Sequence, residues 1–248
     1  MPIAISRTES ATCLPPGQVA RDDFPRFGAP PFDGRFPTQT ERVEVQIGGD
    51  VRHSLALAGE LQRVARTEQC ADFHCVTTWT HRSLQWSGFR FADVYEQLVQ
   101  PLAEPAAGAE FVVLRGQDGY RASLPLADLL ASDVLLADRL NGAPLSIAHG
   151  APLRLVAPAH YGYKSVKHVR RIEFWRSSAS YRPVGLRFMA HPRARVAAEE
   201  RGQWFPGWLL RYLYRPLINS TAARFDEALQ RHQARVPPPE PSQTTSSS

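Results

Sequence analysis

The tightest constraint on this chain is the spacing of its apolar runs between residues 110 and 175. "EFVVL" (110–114), "VLLADRL" (134–140), "PLRLVAP" (152–158) and "VKHVRRIEFW" (166–175) are short and rich in Val, Leu and Ile. Turn chemistry separates them: "GQDGY" at 116–120, "NG" at 141–142 and "HYGYK" at 160–164. Runs of this length, bounded by Gly, Pro, Asn and Asp, read as strands. "LADLLA" (126–131) reads as a short helix between them, and "VEVQI" (43–47) alternates as a further strand with "GGD" as its turn. "AGELQRVAR" (58–66) and "FADVYEQLV" (91–99) read as short helices, the second placing Phe91, Val94, Tyr95 and Leu98 at helical spacing. No period repeats along the chain. The expected class is α+β: a mixed, sheet-rich fold with long loops and a helical C-terminal extension.

With 248 residues, 43% of them hydrophobic, the chain can bury a sizeable core in one large domain. Residues 1–21 read as a flexible leader and 22–176 as the main domain. Within the latter, the Pro/Gly-rich coil "DFPRFGAPPFDGRFPTQ" (23–39) carries four phenylalanines that would lie on the folded body. Residues 177–235 read as a basic, partly helical extension and 236–248, "VPPPEPSQTTSSS", as a disordered tail. The formal charge of +5 is unevenly placed: residues 1–176 hold 19 basic and 19 acidic side chains, residues 177–248 hold 10 and 5. These arginines are scattered and form no nucleic-acid motif, so the excess points to an acidic partner or anionic lipid if it is used at all. In the extension, "NSTAARFDEALQRHQ" (219–233) reads as a helix capped by Asn219 or Ser220, with Ala222, Phe225 and Leu229 on one face. Before it, "WFPGWLLRYLYRPLI" (204–218), interrupted by Pro216, is too apolar for water and too short to cross a bilayer. It must pack on the core, lie in a membrane surface or dock a protein. The first residues show no apolar export segment, no run approaches a membrane span, and three cysteines are too few to staple the fold. A reducing, cytoplasmic setting is expected.

Two clusters carry chemistry. In "CADFHCVTTW" (70–79), Cys70, His74 and Cys75 lie close together beside an acid and two aromatics. Zinc would need a second ligand pair that the chain lacks, and a disulfide inside so short a segment is disfavoured. A buried, inert thiol is the ordinary alternative. The second cluster is "HGAPLRLVAPAHYGYKSVK" (149–167), where His149 and Arg154 flank a strand and Lys164 and Lys167, the only lysines of the sequence, close a glycine-containing loop. Two lysines around Ser165 could present charge and backbone N–H groups to a phosphate, although a basic loop is more often simply solvated.

Taken together, "DFHCVTTW", "QWSGF", "DGY", "DVLLADRLNGAPLSIAHGAPLRLVAP" and "YGYKSVKHVRRIEF" resemble the molybdopterin-binding domain of the sulfite oxidase family in order and spacing. The "FP" at 24–25 is similar to the start of its small bacterial branch. The resemblance spans residues 22–176 and implies a molybdenum-molybdopterin cofactor, one per chain. It implies that Cys75 is the thiolate ligand to the metal, with Cys70 left without a role. A soft thiolate suits a high-valent metal. It further implies that His149, Arg154 and the tripeptide Ser165, Val166 and Lys167 hold the pterin and its phosphate, with Asp118 as a pterin contact. Tyr120 matches a tyrosine standing over the metal; its plainer reading is a turn tyrosine anchoring a hairpin. His74, Trp79, His81 and Trp86 are candidate pocket residues, for which core packing is the equal alternative.

The implied activity is two-electron oxygen-atom transfer on a small-molecule substrate, with a separate electron carrier because no haem-attachment motif is present. The family's metal cysteine is followed by "AGNRR"; here the stretch is "VTTWT", neutral and bulkier, which counts against a small dianion such as sulfite. The family's immunoglobulin-like second domain is replaced by the basic extension. The competing reading is a non-catalytic protein that keeps the fold and the cofactor, or a module that docks a redox partner.

Overall fold

The structure, a computed structural model, describes residues 13–235 apart from 28–29, 39 and 186. Most of the leader and the whole of the C-terminal tail read from the sequence lie outside the described residues. In chain order the strands are β1 (Val19–Arg21), β2 (Val45–Gly49), β3 (Leu55–Leu57), β4 (Arg66–His74), β5 (Trp79–Arg90), β6 (Phe111–Gly116), β7 (Arg121–Pro125), β8 (Leu135–Leu140), β9 (Ala143–Pro144), β10 (Arg154–Val156) and β11 (Val169–Trp175). The helices are α1 (Phe91–Val94) and α2 (Gln100–Ala103), fused through a π turn at Tyr95–Val99, then α3 (Leu126–Leu129), α4 (Gly207–Tyr214) and α5 (Ile218–Arg235).

The strands form two sheets. One runs β1-β5-β8-β10, with β4 on β5 and β9 on β8; the other runs β3-β2-β11-β6-β7. Both mix parallel and antiparallel pairs: β1 lies parallel to β5 and β2 parallel to β11, while the remaining ladders are antiparallel. Every apolar run read as a strand between 110 and 175 forms one, and the architecture is α+β as expected.

Four details depart from the sequence reading. Val19–Arg21 is a sheet strand, not part of a free leader. Residues 58–66 make only a 3₁₀ turn at Gly59–Arg63 before β4 begins. Gly48 and Gly49 end strand β2 rather than forming its turn. Finally, α5 starts at Ile218, directly from the 3₁₀ turn Arg215–Leu217, so Asn219 and Ser220 lie inside the helix and cap nothing.

The main core fills the space between the sheets and the 91–103 helix, with Ile47, Leu57, Leu98, Val112, Leu114, Leu155, Ile172 and Phe174 all buried. Side chains alternate across a strand. Leu136 and Leu155 therefore enter this core, while Leu135, Ala137 and Val156 point to the opposite face of the first sheet. On β5 the same alternation puts Trp86 on the face of Leu135 and Phe89 on that of Leu136. The bulge opposite Ser87 and Gly88 leaves Asp138 of β8 without a strand partner and brings Leu140 onto the face of Leu135 and Ala137. The second face holds a smaller cluster of Leu84, Trp86, Leu135 and Val156 with Phe24 and Phe73 packed on it. Arg154, two residues before Val156, shares this face by parity, and the candidate site is built there.

The extension is part of the body. Ala194 and Val196 share a buried cluster with Tyr161, and Phe225 of α5 packs its edge on Phe27 at 5.9 Å. Leu210 and Tyr214 bury the inner side of α4.

Candidate functional site

Cys75 is the first residue past β4, in the loop that turns the chain back into β5. Its N–H donates to the Trp79 carbonyl at 2.8 Å, and its carbonyl accepts from Thr78 N–H at 3.2 Å and from Gln18 Nε2 at 3.1 Å. These bonds close a tight loop in which Thr78 takes a φ of +81°. A β-branched side chain is strained in that region, and such outliers gather where a loop must hold one shape. Cys75 is buried, with its Sγ 3.1 Å from the Thr77 hydroxyl. Burial raises the thiol pKa; the Thr77 hydrogen bond and the charges of Arg201 and Lys167 oppose it.

Arg154 has no solvent exposure at all. Its guanidinium lies 4.9 Å above the Trp86 ring and 5.5 Å from that of Phe73, and Nη1 donates to the His149 carbonyl at 2.9 Å. Nη2 has no hydrogen-bond partner among the described residues. Burial holds its pKa down at about 9. Lys167 donates from Nζ to the carbonyls of Ala148, at 2.8 Å, and Phe27, at 3.3 Å; burial first, then Arg154 and Arg26, lowers its pKa well below the usual range. Between them sits Gly150, with a φ of +113° and a Cα so close to both that an added Cβ would lie 3.0 Å from Arg154 Cβ and 3.2 Å from Lys167 Cβ. The glycine thus allows the two cations to approach. His149 is held neutral, its pKa lowered to about 3 by burial and by Lys167 and Arg154, and its enclosed Nδ1 is likewise without a partner. The ring of Phe24 stacks on it at 4.6 Å. Asp118 faces the same group, its pKa raised by burial and opposed by a hydrogen bond from Tyr120 N–H at 2.9 Å and by Lys167 and Arg26.

The remaining sequence candidates divide clearly. Ser165 and Val166 are buried and position the loop: Ser165 Oγ accepts from Ala157 N–H at 3.3 Å, and the Val166 carbonyl accepts from Leu155 N–H at 2.9 Å. Lys164 does not join Lys167. It is buried on the other side, donating from Nζ to Ser123 O at 2.6 Å and Pro192 O at 2.8 Å. The idea that both lysines serve one anion is therefore corrected. Tyr120 commits its hydroxyl proton to the Tyr163 carbonyl at 2.7 Å. Cys70 and Cys13 are exposed and free. His74 bonds from Nδ1 to the Thr80 hydroxyl at 2.8 Å. Trp79 and Trp86 are buried, and both keep an indole N–H without a partner among the described residues. His81 lies 5.6 Å from the Phe24 ring.

The sequence reading missed Arg201. This fully buried side chain from the extension donates to Val76 O at 2.6 Å and to Pro16 O at 3.0 Å, pairs with Glu199 at 3.2 Å and lies 4.9 Å over the Tyr161 ring. It clamps the residue after Cys75 from a position 125 residues away. No local signal marks it: Arg193 and Arg195 stand close by in sequence, and Gly202, Pro206 and Gly207 follow it.

An enclosed guanidinium donor left unspent, with a second buried cation close by, suits an anionic ligand. Residues 33–181 match the family model for the oxidoreductase molybdopterin binding domain, and the chain belongs to that family of sulfite oxidase-like, molybdopterin-dependent oxidoreductases. Among curated relatives it is similar to the uncharacterized oxidoreductase YuiH of Bacillus subtilis, with 35% identity over 65% of this chain and 78% of YuiH. It is similar to the protein-methionine-sulfoxide reductase catalytic subunit MsrP of Xanthomonas axonopodis, with 29% identity over 62% of this chain and 52% of MsrP. It also matches the mitochondrial sulfite oxidase of Drosophila melanogaster at 39% identity, over 36% of this chain and 16% of that protein. The chain thus spans most of YuiH but only about half of the MsrP relative. The family implies a molybdenum cofactor, and the donor set fits one: the phosphate calls for the fork of Arg154 and the point charge of Lys167, and the pterin for polar groups such as His149 Nδ1.

Proposed function

We propose that this chain carries one molybdenum cofactor with Cys75 as its thiolate ligand, and that it transfers an oxygen atom to or from a small-molecule substrate. The observation that carries this reading is the unspent donor of the wholly buried Arg154 beside Lys167, whose charge reaches the sealed Cys75 thiol. Arg154 and Lys167 would hold the phosphate, His149 and Asp118 the pterin, and Ser165 and Val166 the backbone that positions Lys167. When bound, the cofactor supplies two-electron chemistry, with molybdenum passing between Mo(VI) and Mo(IV).

The protein's part is to bind, orient and seal. The Cys75–Trp79 loop aims the sulfur, and the Thr77 hydroxyl together with the charges of Arg201 and Lys167 favours its thiolate form against the cost of burial. Phe24, Phe73, Trp79 and Trp86 pack on one another, and the rings of Phe73 and Trp86 shield the Arg154 guanidinium. Tyr120 anchors its turn, since its ring packs on the main core and its hydroxyl proton is committed to the Tyr163 carbonyl. Relatives named for sulfite oxidation and for methionine-sulfoxide reduction support oxygen-atom transfer in either direction. The name of the MsrP relative, a catalytic subunit, supports a separate electron-carrying partner. The free thiols Cys13 and Cys70 support a reducing, cytoplasmic setting.

The test is metal and pterin content of protein made in a host that assembles the cofactor. Equal amounts of molybdenum and chain are expected, with pterin fluorescence after oxidation. Cys75→Ser should abolish turnover and leave the fold intact, whereas Cys70→Ser should change neither. Stoichiometric zinc without pterin, or exchanged phenotypes for the two cysteines, would overturn the assignment.

A further inference from the structure

Six large apolar side chains stand in water along one short stretch. Trp204 is 72% exposed, Phe205 48%, Trp208 56%, Tyr212 65%, Leu213 59% and Leu217 48%. They do not reflect a loose helix. Leu210 and Tyr214, four residues apart, are buried on the inner side of α4, and this fixes which face looks outward. Single exposed apolar residues are ordinary; six between Trp204 and Leu217, on and beside an element whose inner side is docked, mark a binding surface.

Charge selects the occupant. Residues 201–225 contain four arginines and no acidic residue. Arg201 and Arg211 are paired with Glu199, and Arg224 with Asp33. Arg215 is exposed at the edge of the apolar face and has no ion pair among the described residues. The tail "VPPPEPSQTTSSS" is too polar, and its one charge is acidic, so its composition does not suit it to cover the face. Trp, Tyr, Phe and Leu exposed together with a flanking arginine are the composition of an interfacial segment.

We propose that Trp204–Leu217 is an interfacial anchor that docks the protein on an anionic bilayer surface without crossing it. Among the described residues no helix is long and apolar enough to span a membrane. The anchor adjoins the candidate site: Arg215 and Ile218 form one wall of a cavity of about 160 Å³ whose other wall includes Thr78 and Trp79 of the Cys75 loop. Docking therefore brings that loop close to the lipid boundary.

The experiment is sedimentation of the full-length protein with phosphatidylcholine vesicles, with and without phosphatidylglycerol, together with tryptophan emission. Binding to the anionic vesicles and a blue shift are expected, with roughly tenfold weaker binding to neutral vesicles or in high salt. Trp204→Ser with Trp208→Ser should lower binding roughly tenfold while leaving the melting temperature and the circular dichroism unchanged, because both side chains are outside the core. Arg215→Glu should weaken binding to the anionic vesicles alone. Failure to bind either vesicle, or equal binding by the double variant, would overturn the proposal. So would capture of an acidic protein, or a dimer in solution, that is lost in the double variant while vesicles are ignored.

Discussion

Arg154 states the demand of the site most sharply. It has no exposure, one short bond to a carbonyl at 2.9 Å and an idle Nη2. Stacking over Trp86 and Phe73 offsets only part of the cost of burying a guanidinium, and the unspent donor suits an anion. Arg154→Ala and Lys167→Ala should each lower cofactor occupancy by an amount on the order of 2–5 kcal/mol in binding, while turnover per bound molybdenum changes little. Metal and pterin per chain after purification measure this, and full occupancy in both variants would place the phosphate elsewhere. Arg154→Lys should not rescue, because a point charge lacks the fork. Arg201 makes a different demand, because it holds the Cys75 loop from outside. Arg201→Ala leaves the Val76 carbonyl unpaired and should cost about 1–3 kcal/mol in stability. It should also raise the alkylation rate of Cys75 in cofactor-free protein; an unchanged rate would show that the loop holds its own shape. The contrast between these arginines explains what could be read in advance. Arg154 lies in a compact motif with His149 and Lys167, so its grouping with them was legible. Arg201 acts on Pro16 and Val76, 185 and 125 positions away, and no local pattern records such contacts.

The same distinction holds for elements. The strands of 110–175 were legible because their apolar residues are bounded by Gly, Asn and Pro turns. The hairpin of β4 and β5, which presents Cys75, was not. Along β4 exposed and half-buried residues alternate without one fully buried position, so the strand has no strong apolar face to read. The bulge at Ala71/Phe73 then breaks the period that remains. Turn segments in the extension are held by ion pairs, and these carry a pH signature. Glu200 accepts from Arg195 N–H at 2.9 Å and from its guanidinium at 2.6 Å, with His191 Nδ1 at 3.3 Å. Burial alone would raise its pKa, but the Arg195 bonds outweigh that and hold it at about 2, below the ordinary value of 4.5. The unfolded chain binds this proton first. The contribution is therefore complete above about pH 4.5 and is lost as pH falls from there toward 2. Because Arg195 is 44% exposed, solvent screening leaves it on the order of 1 kcal/mol. Melting curves of Glu200→Gln should fall below those of the parent at neutral pH and converge with them near pH 2. A constant offset across that range would show that the carboxylate's charge is irrelevant there.

For the whole molecule, the question is whether residues 177–235 are an appendage or part of the catalytic body. Their charge and aromatic texture set them apart in sequence, and the boundary at 176 read as a domain edge. The packing removes that edge. Tyr161, Ala194 and Val196 form one buried cluster with Val76 against it, Phe225 covers Phe27, and Arg26 donates to the carbonyls of Asp33 and Phe225. Phe27 in turn meets Trp79 at 5.9 Å, so α5 reaches the Cys75 loop through two aromatic contacts. Ending the chain after residue 200 would remove Leu210, Tyr214, Phe225 and the Arg201 clamp together. Each buried apolar side chain contributes about 1.5–3 kcal/mol, and a domain's whole margin is about 5–15 kcal/mol. The truncated protein should therefore be insoluble or melt at least about 10 °C lower. Where it stays soluble, it should hold less molybdenum, because the loop that presents Cys75 has lost one wall. The Trp204→Ser, Trp208→Ser double variant changes only the outer face and should match the parent in melting temperature and molybdenum content. A truncated chain as stable and as fully loaded as the parent would mean that the extension rests on the enzyme without supporting it.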